Sequence, residues 1–278
     1  GLILNIIVIG QSYHLGWQNC FGGSKIDEAD DICLFNNCFY IIGWTQSNDG
    51  DVSFYHGGDN DIWLVKTDLD GNLLWERTYG GSRGDEGIRI IPTFDGNLYI
   101  IGITLSTNGD VSSNVYKNLS YWVLKIDQEG KVLWERALGG SGEDWAKGGT
   151  ITSDGGVVVC GYTSSWDGDV SVYYGYYDMW IVKLDSLGNV MWETSIGNEY
   201  IDYSFSIIET SDKGFLISGS SYLDQGGNLS CEEHATKADG VLVKLDSLGN
   251  LEWTQCYGFS GYDLTNLSIE VKDGYVFA

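Results

Sequence analysis

Short runs of apolar and β-branched residues alternate with turns of Gly, Asn and Asp along the chain. Between residues 73 and 127 the runs are 73–79, 87–94, 98–104 and 121–127. Runs of this length between turn residues are typical of β-strands, and Asp-Gly-Asn and Leu-Gly-Asn turns indicate antiparallel hairpins. No segment shows the sustained periodicity of a helix, so the pattern predicts an all-β protein.

The strand pattern repeats. The repeat is marked by Trp17, Trp75, Trp134, Trp192 and Trp253, which are separated by 58, 59, 58 and 61 residues and carry similar text. A fixed period with matching text indicates one supersecondary unit copied in tandem. The units are 17–74, 75–133, 134–191, 192–252 and a partial unit, 253–278.

Four strands in each unit predict a β-propeller of four-stranded antiparallel blades, four of them whole and one partial, over residues 11–278. A β-solenoid would have shorter coils, and a β-sandwich would not need five near-copies. The fifth unit stops within an apolar run at 274–278. Either the N-terminal run supplies its last strand, or the chain is a piece of a longer propeller. We favour the second interpretation, because an unpaired edge promotes aggregation.

The third unit also carries specific turn motifs, GGSGEDW (139–145), SDGGVVVCGYTSSWDGDVS (153–171) and DMWIVKLDSLGNVMW (178–192). This text resembles the tandem β-propeller repeats of secreted Bacteroidetes-type proteins, over residues 17–278. The resemblance implies a propeller fold and a secreted or surface location, and it implies no particular activity. The fourth unit departs most, with GNEYID at 197–202 and a different loop at 221–240, where a blade-specific function could reside.

Acidic residues dominate the charge. Asp and Glu number 39 against 15 Lys and Arg, which gives a net charge of −24. Such a surface repels phosphate backbones, so nucleic acid is excluded as a partner, and anionic membranes are excluded for the same reason. The six cysteines form no metal-binding spacing. A bridge between Cys33 and Cys38 is possible, although the pair would lie diagonally across a turn.

Residues 1–10 begin with an apolar run that is too short to span a membrane. Val8 and Gly10 are small enough for a signal-peptidase site, so we interpret 1–10 as the remnant of a secretory signal. The alternative is a β-strand, because the run aligns with 61–68 of the next unit. The signal interpretation predicts a secreted or cell-surface protein with no membrane insertion in its mature form.

One acidic position recurs ten or so residues after each repeated tryptophan, at Asp27, Asp85, Asp144, Asp202 and Asp263. A ring of these carboxylates around the axis could bind a cation. The alternative is that each one accepts backbone N–H bonds in the turn after Gly-Gly-Ser. Repetition in every blade favours the structural role for these aspartates and for the five tryptophans.

A second acidic set lies in the Asp-Gly-Asp loops, at Asp49, Asp51, Asp110, Asp167 and Asp169. Closely spaced oxygens around a glycine suit Ca²⁺, which takes six to eight oxygen ligands. However, no known calcium loop matches, and turns use Asp and Gly in any case. Calcium is therefore a possible ligand, and no other cofactor is expected.

The third unit has an aromatic loop containing Trp166, Tyr173, Tyr174, Tyr176 and Tyr177. Aromatic rings on a long loop can stack on sugars or form a protein-binding hot spot. The alternative is that the loop folds its own rings inward. Because loops on a rigid scaffold often carry function, this loop is the candidate ligand-binding site.

Signals of catalysis are weak. The three histidines are far apart in sequence, and no metalloprotease, nucleophile-elbow or phosphate-loop motif is present. Four repeated lysines predict surface ion pairs between blades rather than a catalytic amine, namely Lys66, Lys125, Lys183 and Lys244. The sequence thus favours a secreted, non-catalytic propeller module that binds an extracellular protein or glycan. The alternatives are a carbohydrate-active enzyme with acidic residues at the propeller mouth, and a structural spacer.

Overall fold

The computed structural model describes residues 2–8, 14–222, 226–230, 238–258 and 262–278. Within these residues the structure contains strands and turns and no α-helix. The strands are β1 (Leu2–Val8), β2 (His14–Phe21), β3 (Asp27–Phe35), β4 (Cys38–Thr45), β5 (Asp61–Thr67), β6 (Leu73–Tyr79), β7 (Asp85–Pro92), β8 (Leu98–Thr104), β9 (Ser120–Ile126), β10 (Val132–Leu138), β11 (Asp144–Ile151), β12 (Val157–Thr163), β13 (Asp178–Leu184), β14 (Val190–Ile196), β15 (Asp202–Glu209), β16 (Phe215–Ser221), β17 (Asp239–Leu245), β18 (Leu251–Tyr257), β19 (Ser268–Val271) and β20 (Gly274–Phe277).

The strands form four antiparallel sheets of four strands each, β3 to β6, β7 to β10, β11 to β14 and β15 to β18, each paired in chain order. These are the blades of a β-propeller, and we number them one to four. The first strands pack against one another across successive blades, with β7 beside β3 and β11, and β11 beside β15. The first strand of each blade is therefore the one nearest the axis, and the predicted fold class is confirmed.

The blades are offset from the sequence units. Four of the five repeated tryptophans lie on the last strand of a blade rather than on the first, since Trp75 pairs with Lys66 in blade one and Trp134 pairs with Lys125 in blade two, while Trp17 lies on β2. Units counted from the tryptophan thus begin with the outer strand of the preceding blade. A repeating sequence does not show at which residue a blade begins. The pairing of the strands shows where each sheet begins and ends.

Three of the tryptophans, Trp17, Trp134 and Trp192, pack at the outer rim on a glycine in the last turn of the following blade. The indole of Trp134 in blade two lies over Gly188 in the last turn of blade three, where an added Cβ would come within 2.9 Å of the ring. Trp134 Nε1 also donates to the Ser186 carbonyl at 3.2 Å. Trp17 lies over Gly71 in the same way. Only glycine leaves room for the ring at these turns. The tryptophan and the turn glycine of the next blade therefore recur together, once per blade.

The core lies between the blades, because the second and third strands bury side chains on both faces. Ile42 and Leu64 of blade one pack with Ile100 and Trp122 of blade two. Equivalent layers join blade two to blade three and blade three to blade four. Trp122 is fully buried, and burying a side chain of this size contributes roughly 3 kcal/mol. Each blade thus covers the apolar face of its neighbour.

Two shorter sheets complete the described structure. β1 pairs with β2, with a register shift after Ile6, and β19 pairs with β20. Residues 2–8 therefore form a strand, which was the alternative considered for this run. That residues 1–10 derive from a secretory signal stays a prediction.

The divergent loop of blade four lies only partly within the described residues. Residues 223–225 and 231–237 of the 221–240 segment fall outside them. The prediction that a blade-specific function could reside in this loop therefore concerns a segment of which half lies outside the described residues.

Cys33 and Cys38 do not form the bridge that the sequence allowed. Both are free, as are Cys20 and Cys160. Cys38 lies opposite Phe35 in the β3–β4 hairpin, so the two sulfur-bearing residues are offset along the strands.

Candidate functional site

The two ends of the propeller differ in their connections. One end carries tight turns, such as 68–72 and 185–189, which join strands within a blade. The other end carries the long loops 46–60, 105–119 and 164–177, together with the links between blades. We call this the loop end. The predicted site residues of the long loops lie here, so the loop end holds the candidate site.

Four of the five repeated aspartates, Asp27, Asp85, Asp144 and Asp202, start the first strand of a blade at the loop end and are buried, whereas Asp263 is partly exposed and precedes β19. Asp144 accepts hydrogen bonds from the Gly140 N–H at 2.9 Å, from Ser165 Oγ at 3.0 Å and from Thr163 Oγ1. Burial raises the pKa of Asp144 to about 6, although these three donors oppose the shift. The carboxylate ties the link between blades to the end of the second strand.

The same bonds recur in the other blades. Asp27 and Asp85 each accept from a threonine, a serine and a glycine N–H, while Asp202 uses Ser221 and Asn198. For Asp263, the structure repeats the backbone bond that precedes each first strand, from its N–H to the Ala238 carbonyl at 2.9 Å. These contacts are the ones expected of structural residues.

The aspartates of the Asp-Gly-Asp loops are not gathered around a common point. Three of them, Asp51, Asp110 and Asp169, each accept a hydrogen bond from the N–H of the glycine that directly follows β2, β6 or β10. Asp49 and Asp167 accept from the N–H groups of serines in the same link. Within the described residues no three Asp, Glu, His or Cys side chains are placed to hold a metal ion. The predicted calcium ligands are thus used to fasten the loops.

The aromatic loop of blade three divides into exposed and inward-facing rings. Trp166 and Tyr176 are 66% and 69% exposed, and Tyr173 is also exposed. Tyr174 is anchored by its N–H, which donates to Asp178 at 2.6 Å. Tyr177 turns toward the axis. The loop thus combines both arrangements that the sequence left open.

Tyr177 belongs to an aromatic cluster that sequence analysis missed, composed of Trp145, Tyr162, Tyr177 and Tyr203. The Tyr162 ring centroid lies 4.4 Å from that of Tyr203 and 5.3 Å from that of Tyr177. Trp145 stacks beside Tyr162 at 6.3 Å with an angle of 25°. Tyr203 comes from blade four and the other three from blade three, so the packing of two blades creates the cluster.

A sequence signal for this cluster exists at the position after each repeated aspartate. That position holds Glu28, Glu86, Trp145 and Tyr203 in the four blades. It changes chemistry while the flanking residues stay nearly constant, and the structure places it on the strand nearest the axis at the loop end. A comparison of the repeats at this one variable position would therefore have pointed to Trp145 and Tyr203 from the sequence alone.

Each first strand also contains a bulge that leaves one residue without a partner opposite it. The unpaired residues are Asp30, Ile88, Lys147 and Phe205. Bulges commonly re-aim side chains near functional sites. The bulge residue is acidic in blade one, basic in blade three and aromatic in blade four, so the axial surface is chemically asymmetric.

Blades one and two contribute the acidic group of this surface, Glu28, Asp30 and Glu86. Asp30 is solvent-exposed, but loss of hydration beside its neighbours, and then the negative charges of Glu86 and Glu28, raise its pKa to about 6, while the positive charge of Arg89 opposes the shift. Burial lowers the pKa of Lys147, and the nearby charges of Glu86 and Asp30 oppose that shift. Lys147 therefore lies where the acidic group meets the aromatic cluster.

The repeated lysines are not surface ion pairs between blades as predicted. Lys125 and Lys183 are buried and bind Asp95 and Asp154 in the first hairpin turn of their own blades. Lys66 instead donates to the Gln128 carbonyl of the next blade at 3.0 Å. These positions look solvent-facing in an isolated strand, but the neighbouring blade covers them.

Two clefts lie at the outer rim, at consecutive blade junctions, with volumes of about 530 Å³ and about 370 Å³. Each is lined by an arginine on the last strand of one blade that reaches the next. Arg77 Nε donates to the Glu129 carbonyl at 2.8 Å, and Arg136 Nε donates to that of Gly188 at 2.9 Å. Their repetition indicates that blade packing produces them.

His56 is held between two carboxylates, with Nδ1 3.0 Å from Asp61 and Nε2 3.2 Å from Asp110. Asp61 belongs to blade one and Asp110 to blade two, so the contact joins two blades. Over the part of the chain that the structure describes, the polar contacts of this imidazole ring are with these two carboxylates. In the same part, no helix is both long and apolar enough to cross a bilayer.

No family model matches the chain, and no curated protein matches it at a significant level. A solved protein of unknown function from Bacteroides caccae is 13% identical, with a TM-score of 0.28, over 78% of this chain and 93% of that chain. A mannose phosphorylase from Leishmania mexicana is 9% identical, with a TM-score of 0.41, over 92% and 82%. An ACO/RPE65 chimera is 11% identical, with a TM-score of 0.43, over 88% and 52%. Similarities this distant carry no argument about function, which must come from the site itself.

Proposed function

We propose that the protein is a secreted or cell-surface, non-catalytic β-propeller module that binds an extracellular protein or glycan at its loop end. The observation that carries the proposal is the concentration of exposed aromatic rings there. Trp166, Tyr173 and Tyr176 of blade three are exposed, as are Tyr116 of blade two and Tyr200 in the link to blade four.

Exposed rings of this size favour recognition. Tyr and Trp side chains offer large contact areas with few rotatable bonds, so ordering them against a ligand loses little entropy. The loop that carries them is fastened at both ends, by Asp167 bonding the Ser141 N–H and by Asp178 bonding the Tyr174 N–H. The rings are therefore presented on a pre-organised scaffold, which lowers the cost of binding.

The location and lineage are part of the same proposal. They are supported by the resemblance of the 17–278 repeats to secreted Bacteroidetes-type propellers. The strong negative charge also suits an extracellular partner that is not a polyanion.

A glycan array and an extracellular-protein array, probed with the wild-type chain and a Trp166→Ser/Tyr176→Ser variant, test the binding function. We expect the variant to lose signal on the ligands that the wild-type chain binds. The matched control is Leu187→Ser/Leu248→Ser, which removes two exposed apolar side chains from the tight-turn end. Equal loss in both variants, or no wild-type binding at all, would reject the loop end as a binding face. The latter result would favour the spacer.

A carbohydrate-active enzyme is the second candidate, favoured by one observation. The raised pKa of Asp30, about 6, reflects in part the negative charge of Glu86, and two neighbouring carboxyl groups can serve as acid and base in glycoside hydrolysis. A hydrolysis screen on a glycan panel tests it. Turnover that Asp30→Asn and Glu86→Gln both abolish would establish the enzyme and displace the binding module.

A further inference from the structure

The aromatic cluster already holds a cation. The Lys147 ammonium lies 4.9 Å from the centroid of Trp145 and 5.6 Å from that of Tyr162. Cations within about 6 Å of a ring centroid are attracted by the negative face of the π-system. Because Lys147 is the bulge residue of its strand, the chain itself places a positive charge over these rings.

The acidic group completes the surroundings that a cation requires. Glu86 and Asp30 act electrostatically on Lys147 from blades two and one, and Glu143 contacts the cluster by accepting a hydrogen bond from Tyr177 Oη at 3.0 Å. Negative charge thus borders the rings, and the whole chain adds a net charge of −24 that attracts positive ligands.

From this arrangement we infer that the axial surface at the loop end binds an arginine side chain of a partner protein, with the guanidinium stacked on Trp145 and Tyr162 and paired with Asp30 and Glu86. The inference rests on the proposed binding function and names the chemistry of its ligand. In the free protein, Lys147 occupies the place that the guanidinium takes.

A guanidinium suits this surface better than a second ammonium does. It is planar, so it stacks on aromatic faces, and its donors match carboxylates in pairs. It is also more weakly hydrated than an ammonium, so it loses less on leaving water. An arginine can therefore displace the Lys147 ammonium from the rings, whereas a ligand lysine would gain nothing over the one already present.

The test is a titration of the whole chain with N-acetyl-argininamide at fixed ionic strength. Tryptophan fluorescence and NMR measure the binding. N-acetyl-citrullinamide, which has the same shape without the charge, and N-acetyl-lysinamide are the comparison probes. We expect saturable binding of the arginine probe and at least tenfold weaker binding of the other two. Citrulline binding as tight as arginine binding would overturn the inference.

Variants separate this role from a structural one. Trp145→Leu and Glu86→Gln should each weaken the arginine probe several-fold, and Trp145→Tyr should restore part of the loss. Lys147→Met should strengthen binding about three- to thirtyfold, since it removes the competing cation. Asp70→Asn, an exposed charge change in a tight turn, should leave binding unchanged. An unchanged or weaker affinity in Lys147→Met would contradict the inference even if that variant folds normally.

The two proposals fail separately. If array ligands bind in a way that depends on Trp166 and Tyr176 while the arginine probe shows no saturable binding, the binding module stands and the ligand chemistry is wrong. If neither binds, the proposed function itself is rejected.

Discussion

Replacing Asp144 by alanine removes the acceptor for three buried donors at the start of blade three. The Gly140 N–H, Ser165 Oγ and Thr163 Oγ1 all point to this carboxylate, which has no exposed surface. The two hydroxyls can rotate toward other acceptors, but the backbone N–H cannot. Leaving a buried donor unsatisfied costs about 1–3 kcal/mol.

Adding about 1 kcal/mol for each hydroxyl gives an expected destabilisation of about 3–5 kcal/mol for Asp144→Ala. In a chain of this size, each kcal/mol lowers the midpoint of thermal unfolding by about 2–4 °C. The expected fall in Tm is therefore roughly 6–20 °C. Thermal unfolding followed by circular dichroism measures it, with guanidinium titration as a second probe.

The control for this prediction is Asp167→Ala, which removes one hydrogen bond, to the Ser141 N–H, from a partly exposed site. It should cost about 1 kcal/mol. If the free energy of unfolding of Asp144→Ala is within about 1 kcal/mol of that of the wild-type chain, the carboxylate is not a structural clamp. If it changes ligand binding and leaves the Tm alone, the ring of aspartates has a binding role instead.

Three further predictions concern the blades. Gly188→Ala should lower the free energy of unfolding by at least about 2 kcal/mol more than Gly155→Ala, roughly the cost of overpacking. Both glycines have positive φ, but only Gly188 faces the Trp134 ring. Equal denaturant midpoints of the two variants would show that the ring does not require a glycine at 188. The Tm should fall as the pH rises from 5 to 8, because burial raises the folded-state pKa of Asp178 to about 6 and of Asp202 to about 7. The stability that protonation gives is fully present below the unfolded-state pKa near 4, and it is lost as these two groups ionise in the folded protein. A Tm that rises between pH 5 and 8 would contradict this prediction. Ca²⁺ at millimolar concentration should leave the Tm unchanged in differential scanning fluorimetry, and a clear upward shift would show that the Asp-Gly-Asp loops bind the ion.

Much of the fold could be predicted from the sequence, because the strands are short and bounded by turns. The runs 73–79 and 98–104 coincide with β6 and β8, and the run 121–127 is shifted by one residue from β9. Alternation between β-branched runs and Gly-Asn-Asp turns is a local property. The assignment of each tryptophan strand to a blade was not predictable in this way, since hydrogen bonding between strands is non-local.

The candidate site was only partly predictable. Tyr177 was found because it lies in an aromatic loop, whereas Tyr162 and Tyr203 lie 41 residues apart on different blades. Their contact depends on how blade three packs against blade four. The same packing buried Lys125 and Lys183, which the strand pattern alone placed at the surface.

By itself, the sequence determined the strands, the turns and the number of copies, because these follow from local propensity and from a period that can be read in one dimension. Only the tertiary structure decided which side chains meet near the axis, where Lys147 lies near carboxylates of blades one and two and over aromatic rings of blade three. The reason is physical: each blade positions its first strand against its neighbours through the buried layers between sheets, so the chemistry of the axial surface belongs to several blades at once.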